Sequence, residues 1–279
     1  MAGLHDRGRP GAPLLNLDTD ELAREYDRIS STRQFEMGKR LVADLGIRPG
    51  EKVLDVGTGT GLLAHHIAEL VGPTGRVHGV DPLPSRIHIA MDRARNRSNL
   101  SFEVSDVYDL AHLRDQSFDV ICLNSVFHWL PEKTGPLLAF RRMLRPAGRI
   151  GISAIAKGPL MPVQEVVASV LAEPPFDRFP RERASLTFKI DHEEMRALFE
   201  MTGFAPTTIE VRPMEQNYAS AEQAVRFLEA SSFGNFLGHL PPEMVYRARV
   251  TILRRLAAIA TDEGIKQQRG RLVAIAHRR

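Results

Sequence analysis

The sequence predicts an α/β fold, a mostly parallel sheet covered by helices on both faces, and two observations carry that expectation. Between about residues 52 and 155, short apolar runs alternate with stretches of helical periodicity, the pattern of a sheet buried on both sides. Within it, Val53-Leu54-Asp55-Val56-Gly57-Thr58-Gly59-Thr60-Gly61 runs from a strand through an acidic residue into three alternate glycines. A helix follows at once (Leu62, Leu63, Ala64, Ile67, Ala68, Leu70). Side chains at those glycines would stop the backbone turning tightly and approaching a bound molecule. The turn also presents the free N–H groups of a helix start.

The elements follow in order. Met1 to Asn16 is rich in Gly and Pro without an apolar core and reads as a disordered lead-in, not a signal peptide. Residues 17–45 read as one or two helices, with Asp18 or Thr19 as N-cap and Gly46 as stop. Strands are expected at 52–56, 76–80, 100–104, 118–123 and 149–155, and helices at 61–71, 85–96 and 134–144, the last two capped by Ser85 and Thr134. After 156 the pattern loosens into a helix over Val163 to Leu171, an irregular stretch through Pro174 to Pro180, and a helix capped by Asp191 and ended at Gly203. Two further strands, Thr207 to Val211 and Arg271 to Ala276, flank helices near 220–230 and 241–262. A single domain over 17–279 is expected, with lid segments at 157–186 and 219–264.

Composition narrows the function. With 279 residues, 43% hydrophobic and 25% charged, the chain is that of an ordinary folded domain. A formal charge of +3 is too small to mark a nucleic-acid partner, and no apolar run reaches the ~20 residues that cross a bilayer. One cysteine, Cys122, excludes an internal disulfide and fits a reducing, cytoplasmic setting. Arg141, Arg142, Arg145 and Arg149 cluster at a helix C-terminus and the turn after it, where cations meet the helix dipole favourably. His65 and His66 lack a metal-ligand pattern, so no metal is expected.

The glycine spacing departs from the dinucleotide pattern G-x-G-x-x-G, whose third glycine would fall at Leu62. Asp55, so close to the loop, would also repel a pyrophosphate. A nucleoside with a positive, amino-acid-like arm fits better. Here the chain resembles the class I methyltransferases that use S-adenosyl-L-methionine, whose first motif reads D/E-x-G-x-G-x-G. Arg76-Val77-His78-Gly79-Val80-Asp81, Leu100-Ser101-Phe102-Glu103-Val104 with Asp106, Gln116-Ser117-Phe118-Asp119-Val120, and Leu144-Arg145-Pro146-Ala147-Gly148 match that family's later motifs in order, Ala147 replacing a glycine. The resemblance is close over about 40–155. It implies a Rossmann-like sheet of seven strands in the order 3-2-1-4-5-7-6. It further implies that the cofactor is held by Asp55, Gly57, Thr58, Gly59 and Gly61, by Asp81 at the ribose, by Pro82, Leu83, Asp106 and Val107 around the adenine, and by Asn124. In the resembling family leading helices fold over the cofactor, which makes Tyr26 and Gln34 candidate contacts.

The segment Asn124-Ser125-Val126-Phe127-His128-Trp129-Leu130-Pro131 bears on the acceptor. It lacks the N/D-P-P-Y/F of amino-group methyltransferases and resembles the Q/H-W element of small-acid O-methyltransferases. His128 is the candidate general base or substrate hydrogen-bond donor. Trp129, Phe233, Phe236 and His239 are candidate substrate contacts, the last three on a lid where aromatics interleave with Gly234 and Gly238. Arg178, Arg181 and Arg183 could pair with an acidic substrate. The expected function is methylation of a small molecule, at a carboxylate or hydroxyl oxygen. Quinone-type C-methylation, cofactor binding without turnover and nicotinamide oxidoreduction are the alternatives.

Overall fold

The computed structural model describes residues 15–179 and 187–279. The expected lead-in at 1–16 falls almost wholly outside the described residues, as do Arg181, Arg183 and part of the first lid segment. Seven strands form one sheet: β1 (Lys52–Val56), β2 (Arg76–Asp81), β3 (Leu100–Val104), β4 (Phe118–Asn124), β5 (Leu144–Ile155), β6 (Phe204–Tyr218) and β7 (Ile265–Arg278), in the order β3-β2-β1-β4-β5-β7-β6. The first five pair in parallel, while β7 runs antiparallel to both β5 and β6. The fold is therefore the Rossmann-like arrangement that the motif order implies.

Strand alternation explains the two-sided core. Leu54, Ile121, Leu123, Ile150, Ile152, Leu272 and Ala274 turn to one face, where they meet Phe140 of α5 (Thr134–Met143) and Phe199 of α7 (His192–Met201). Their neighbours Val53, Val120, Cys122 and Val273 turn to the other face. There they pack on α2 (Ser31–Leu45), α3 (Leu62–Val71) and α4 (Pro84–Ala94). Both sets are buried, which is why Val53-Leu54 in β1 and Val120-Ile121-Cys122-Leu123 in β4 are apolar at successive positions. A third cluster joins α6 (Pro162–Leu171), α8 (Ala221–Ser231) and α9 (Pro242–Ile259) to Tyr218 and Ile265, at the two strand ends that project past the sheet.

Local details bear out two of the expected helix caps and correct two others. Thr19 caps α1 (Asp20–Ile29) by accepting the Leu22 N–H, and Asp191 caps α7 in a reciprocal box with Glu194. Ser85 and Thr134 are not caps. α4 starts at Pro84, which needs no N–H partner, leaving Ser85 to donate to Asp20. The first amides of α5 are taken by the Glu132 carboxylate. β6 and β7 run far beyond the short strands expected, because they stay paired with each other from Pro213↔Gly270 to Tyr218↔Ile265, past the end of β5. Arg142, Arg145 and Arg149 pair with Asp115, Asp119 and Glu51, so that cluster is tied into the fold by carboxylates.

Ala147 sits at φ 61°, a left-handed conformation, where the motif has glycine. A Cβ there costs roughly 1–2 kcal/mol. Ala147→Gly is expected to raise the melting temperature by about 2–4 °C after the entropy cost of glycine is set against it; thermal denaturation checks it.

Candidate active site

The carboxyl ends of the parallel strands and the start of β7 enclose a cavity of ≈ 190 Å³. Its position follows from topology: β1 and β4 lead their crossovers in opposite directions, which opens a crevice at their tips.

The glycine turn is shaped by its neighbours. Gly57 and Thr58 donate their N–H groups to the Val80 carbonyl at 2.7 and 3.0 Å, pinning the turn to the end of β2. Gly57 has φ 69°, and a Cβ there would lie 2.1 Å from Val126 Cγ2. Gly59 has φ 57°, with the Tyr26 ring 3.6 Å from where its Cβ would stand. Gly61 differs. It lines neither this cavity nor the recess beside it. Its Cβ would meet Ala90 and Phe102 at 2.8 and 2.9 Å, so it is glycine to let α3 seat on α4 and β3.

Asp81 closes the turn from the next strand. Its Oδ2 accepts the Gly59 N–H at 2.9 Å and its Oδ1 accepts the Leu83 N–H at 3.0 Å. Burial pushes its carboxyl above the usual range, opposed by the Arg86 guanidinium. Each oxygen retains acceptor capacity, and the residue lines the cavity together with Pro82, Leu83, Asp106 and Val107. Asp106 Oδ1 accepts the Tyr108 N–H at 3.0 Å. Asp55 and Thr58 face a smaller polar recess shared with Gln34 and Asn124. There Asp55 accepts the Thr58 hydroxyl at 2.8 Å and is pushed up to about 7, chiefly by burial and also by the Asp81 charge.

α1 lies across the turn, bringing the Tyr26 ring beside Gly59, while Gln34 comes from α2. Tyr26 and Gln34 both line the cavity. Asp27 accepts from the Thr60 hydroxyl at 2.6 Å and pairs with Arg93 at 2.5 Å. Arg86, which sequence reasoning passed over, is 3% exposed, with its guanidinium 4.0 Å from the Tyr26 ring centroid and 4.8 Å from that of Phe233. It joins α1, α4 and the segment after α8.

The far end of the cavity is built by the β4 tip and β7. His128 is buried and lines it. Its Nδ1 lies 3.4 Å from the Ile155 N–H, a donor, so the neutral ring carries its proton on Nε2. Burial, and then Arg271, Arg269, Lys189 and Lys133, hold its pKa well below the ordinary histidine value. Trp129 stacks on His128 at 5.2 Å and on Phe233 at 4.8 Å. Phe236 and His239, expected at the substrate, do not line the cavity. Phe236 is buried in the third cluster, because α8 turns that side of the loop toward α6 and α9. The intervening glycines are explained by packing: Cβ atoms at Gly234 and Gly238 would strike Leu17 at 2.5 and 2.8 Å. Arg178 is exposed and lines neither chamber.

Sequence reasoning also missed Arg269 and Arg271. Both line the cavity, two positions apart and hence on one face of β7. The signal was present in Gln267-Gln268-Arg269-Gly270-Arg271-Leu272, had the strand been extended backwards.

A family model described as a methyltransferase domain matches residues 47–201. Demethylmenaquinone methyltransferase of Staphylococcus aureus is 27% identical over 198 residues, covering 66% of this chain and 81% of the relative. Two solved structures share the fold. The putative methyltransferase complexed with the Trm112 activator of Haloferax volcanii has TM-score 0.58 and 21% identity, over 92% of this chain and 93% of that one. A SAM-dependent methyltransferase from Aquifex aeolicus has TM-score 0.52 and 19% identity, over 67% and 90%.

Proposed function

The chain belongs to the methyltransferase-domain family, and we propose that it transfers a methyl group to an oxygen of a small molecule, a carboxylate in preference to a hydroxyl. S-adenosyl-L-methionine is the donor; it supplies an already activated methyl group bonded to a sulfonium. The residues present fit it. Asp81 has free acceptor capacity for ribose hydroxyls, Leu83 and Val107 offer apolar surface for adenine, Asp106 can accept from its amino group, and Asp55 in its polar recess suits the amine.

Methyl transfer asks the protein mainly to align the acceptor and exclude water. The observation that carries the oxygen reading is His128. As a base it would have to become an imidazolium beside Arg271, Arg269, Lys189 and Lys133, which oppose that charge. It therefore serves as an Nε2–H donor, and the acceptor arrives already deprotonated. A carboxylate satisfies this at neutral pH without assistance.

The test is a panel of small acids, phenols and quinols with the cofactor, products being treated with alkali. Methanol released from the product marks a carboxylate ester and supports the reading; methylation at carbon refutes it, and methylation at a phenol alone keeps the oxygen acceptor but refutes the preference for a carboxylate. The Staphylococcus aureus relative favours a second reading, C-methylation of a quinol, whose product would survive alkali. Turnover of no compound in the panel would leave the cofactor-binding alternative. His128→Gln, which keeps an N–H donor, is expected to retain most activity, while His128→Ala loses about 10²-fold in kcat. If the glutamine variant were as inactive as the alanine variant, the donor role would fail.

Asp55 gives a pH dependence. Its carboxyl goes from 3.8 in the unfolded chain to about 7 in the fold, so the folded state binds the extra proton between those values. Stability of the cofactor-free protein therefore falls as pH rises from about 4 to 7. Asp55→Asn should flatten that fall, read as melting temperature against pH.

A further inference from the structure

The start of β7 carries two cations with no counter-ion among the described residues. Arg271 is 5% exposed, and its hydrogen bonds go only to neutral groups: Ser153 Oγ at 2.6 Å, Ser125 Oγ at 2.7 Å, Asn124 Oδ1 at 2.8 Å and the Ser153 carbonyl at 3.2 Å. Its Nη1 is buried without a partner. Arg269 makes no side-chain hydrogen bond or ion pair among the described residues, and its Nε is likewise buried and unpaired. Most other half-buried or buried arginines of the fold have carboxylates, such as Arg93 with Asp27, Arg149 with Glu51 and Arg86 with Asp18.

Leaving a buried charge uncompensated is strongly destabilising. Burial lowers both guanidinium pKa values, Arg271 to about 9 and Arg269 to about 10, yet both stay charged at neutral pH. The fold spends Ser125 on this corner as well, holding it at φ 65° so that its hydroxyl reaches Arg271. The same cavity is lined by Trp129, Phe233, Phe227 and Leu130, an aromatic and aliphatic surface in which Trp129 and Phe233 touch.

We infer that Arg269 and Arg271 form the anion anchor of the acceptor site, and that the acceptor is an amphipathic acid, its carboxylate on the two guanidiniums and its apolar body on the Trp129–Phe233 wall. A carboxylate matches the planar guanidinium fork and can take the unpaired Nη1 of Arg271. The inference rests on the reading of the acceptor as an acid and adds which groups recognise it. Arg269 and Arg271 are binding residues here, and His128 adds a neutral donor beside them.

The experiment is calorimetry and thermal shift on the S-adenosylhomocysteine-loaded chain with benzoate, cinnamate and octanoate, each against its uncharged amide. At least one acid is expected to bind 10-fold or more tightly than its amide. Arg269→Gln, which breaks no hydrogen bond among the described residues, should erase that preference, as should Arg271→Lys in part. Heat of S-adenosylhomocysteine binding on the same samples reports that the fold is intact. Equal binding of acids and amides, or an undiminished preference in Arg269→Gln, overturns the anchor. The two readings fail separately. An acid held through the arginines but methylated at carbon would refute ester formation and keep the anchor. An acid esterified by Arg269→Gln with unchanged KM would do the reverse.

Discussion

Asp81→Ala is expected to abolish measurable cofactor binding, with affinity for S-adenosylhomocysteine down at least about 100-fold. The carboxylate has two tasks. It fixes the glycine turn through the Gly59 amide and the start of α4 through the Leu83 amide, and its remaining lone pairs face the cavity where ribose hydroxyls would be held. Hydrogen bonds to a charged acceptor contribute about 1.5–3 kcal/mol each, so two lost ligand bonds correspond to about a hundredfold or more. The buried Arg86 also loses a nearby negative charge that offsets its own. Calorimetry reads the effect directly. An unchanged heat of association would show that the cofactor lies elsewhere.

Gly61→Ala should cost far more stability than the same change at Gly59. The residue has φ 81°, and the added methyl would press on Ala90 at 2.8 Å and Phe102 at 2.9 Å, with the Ala90 backbone at 3.2 Å. Overpacking costs about 1–3 kcal/mol, and the left-handed conformation roughly 1–2 more. A fall in melting temperature of about 6–15 °C follows for a domain of this size. Gly59→Ala should do the opposite in kind. Its methyl has room beside Tyr26, so stability falls less, while cofactor affinity suffers because the methyl enters the binding space. Equal melting temperatures for the two variants would contradict this division of labour.

That division marks where sequence reading stops. The order of the sheet was legible because the motifs follow one another as in the resembling family, and Asp55, Asp81, Asp106 and Asn124 fall at one edge whatever the loops do. Gly61 looked like its neighbours, since spacing cannot tell a glycine that admits a ligand from one that admits a helix. The same ambiguity misplaced Phe236. An aromatic on a loop beside α8 can face the cavity or the third cluster, and only the packing of α6 and α9 decides. Arg269 and Arg271 escaped because β7 is read from its apolar centre outwards, and its polar beginning extends past the sheet, where no core enforces alternation. His128 was legible as a candidate, but the donor role proposed for it turns on a backbone N–H contributed by β5 and on cations from β7, both distant in sequence.

The place of β7 between β5 and β6 has a kinetic consequence. Strand β6 is made before its pairing partner exists, and it must wait through α8 and α9 for β7 to slot in beside it. During biosynthesis the nucleotide-holding half can assemble early, while a fifteen-residue ribbon stays unzipped with its amides open to any passing strand. Slow, concentration-sensitive refolding is the expected signature, and the last piece to arrive carries both arginines of the anchor.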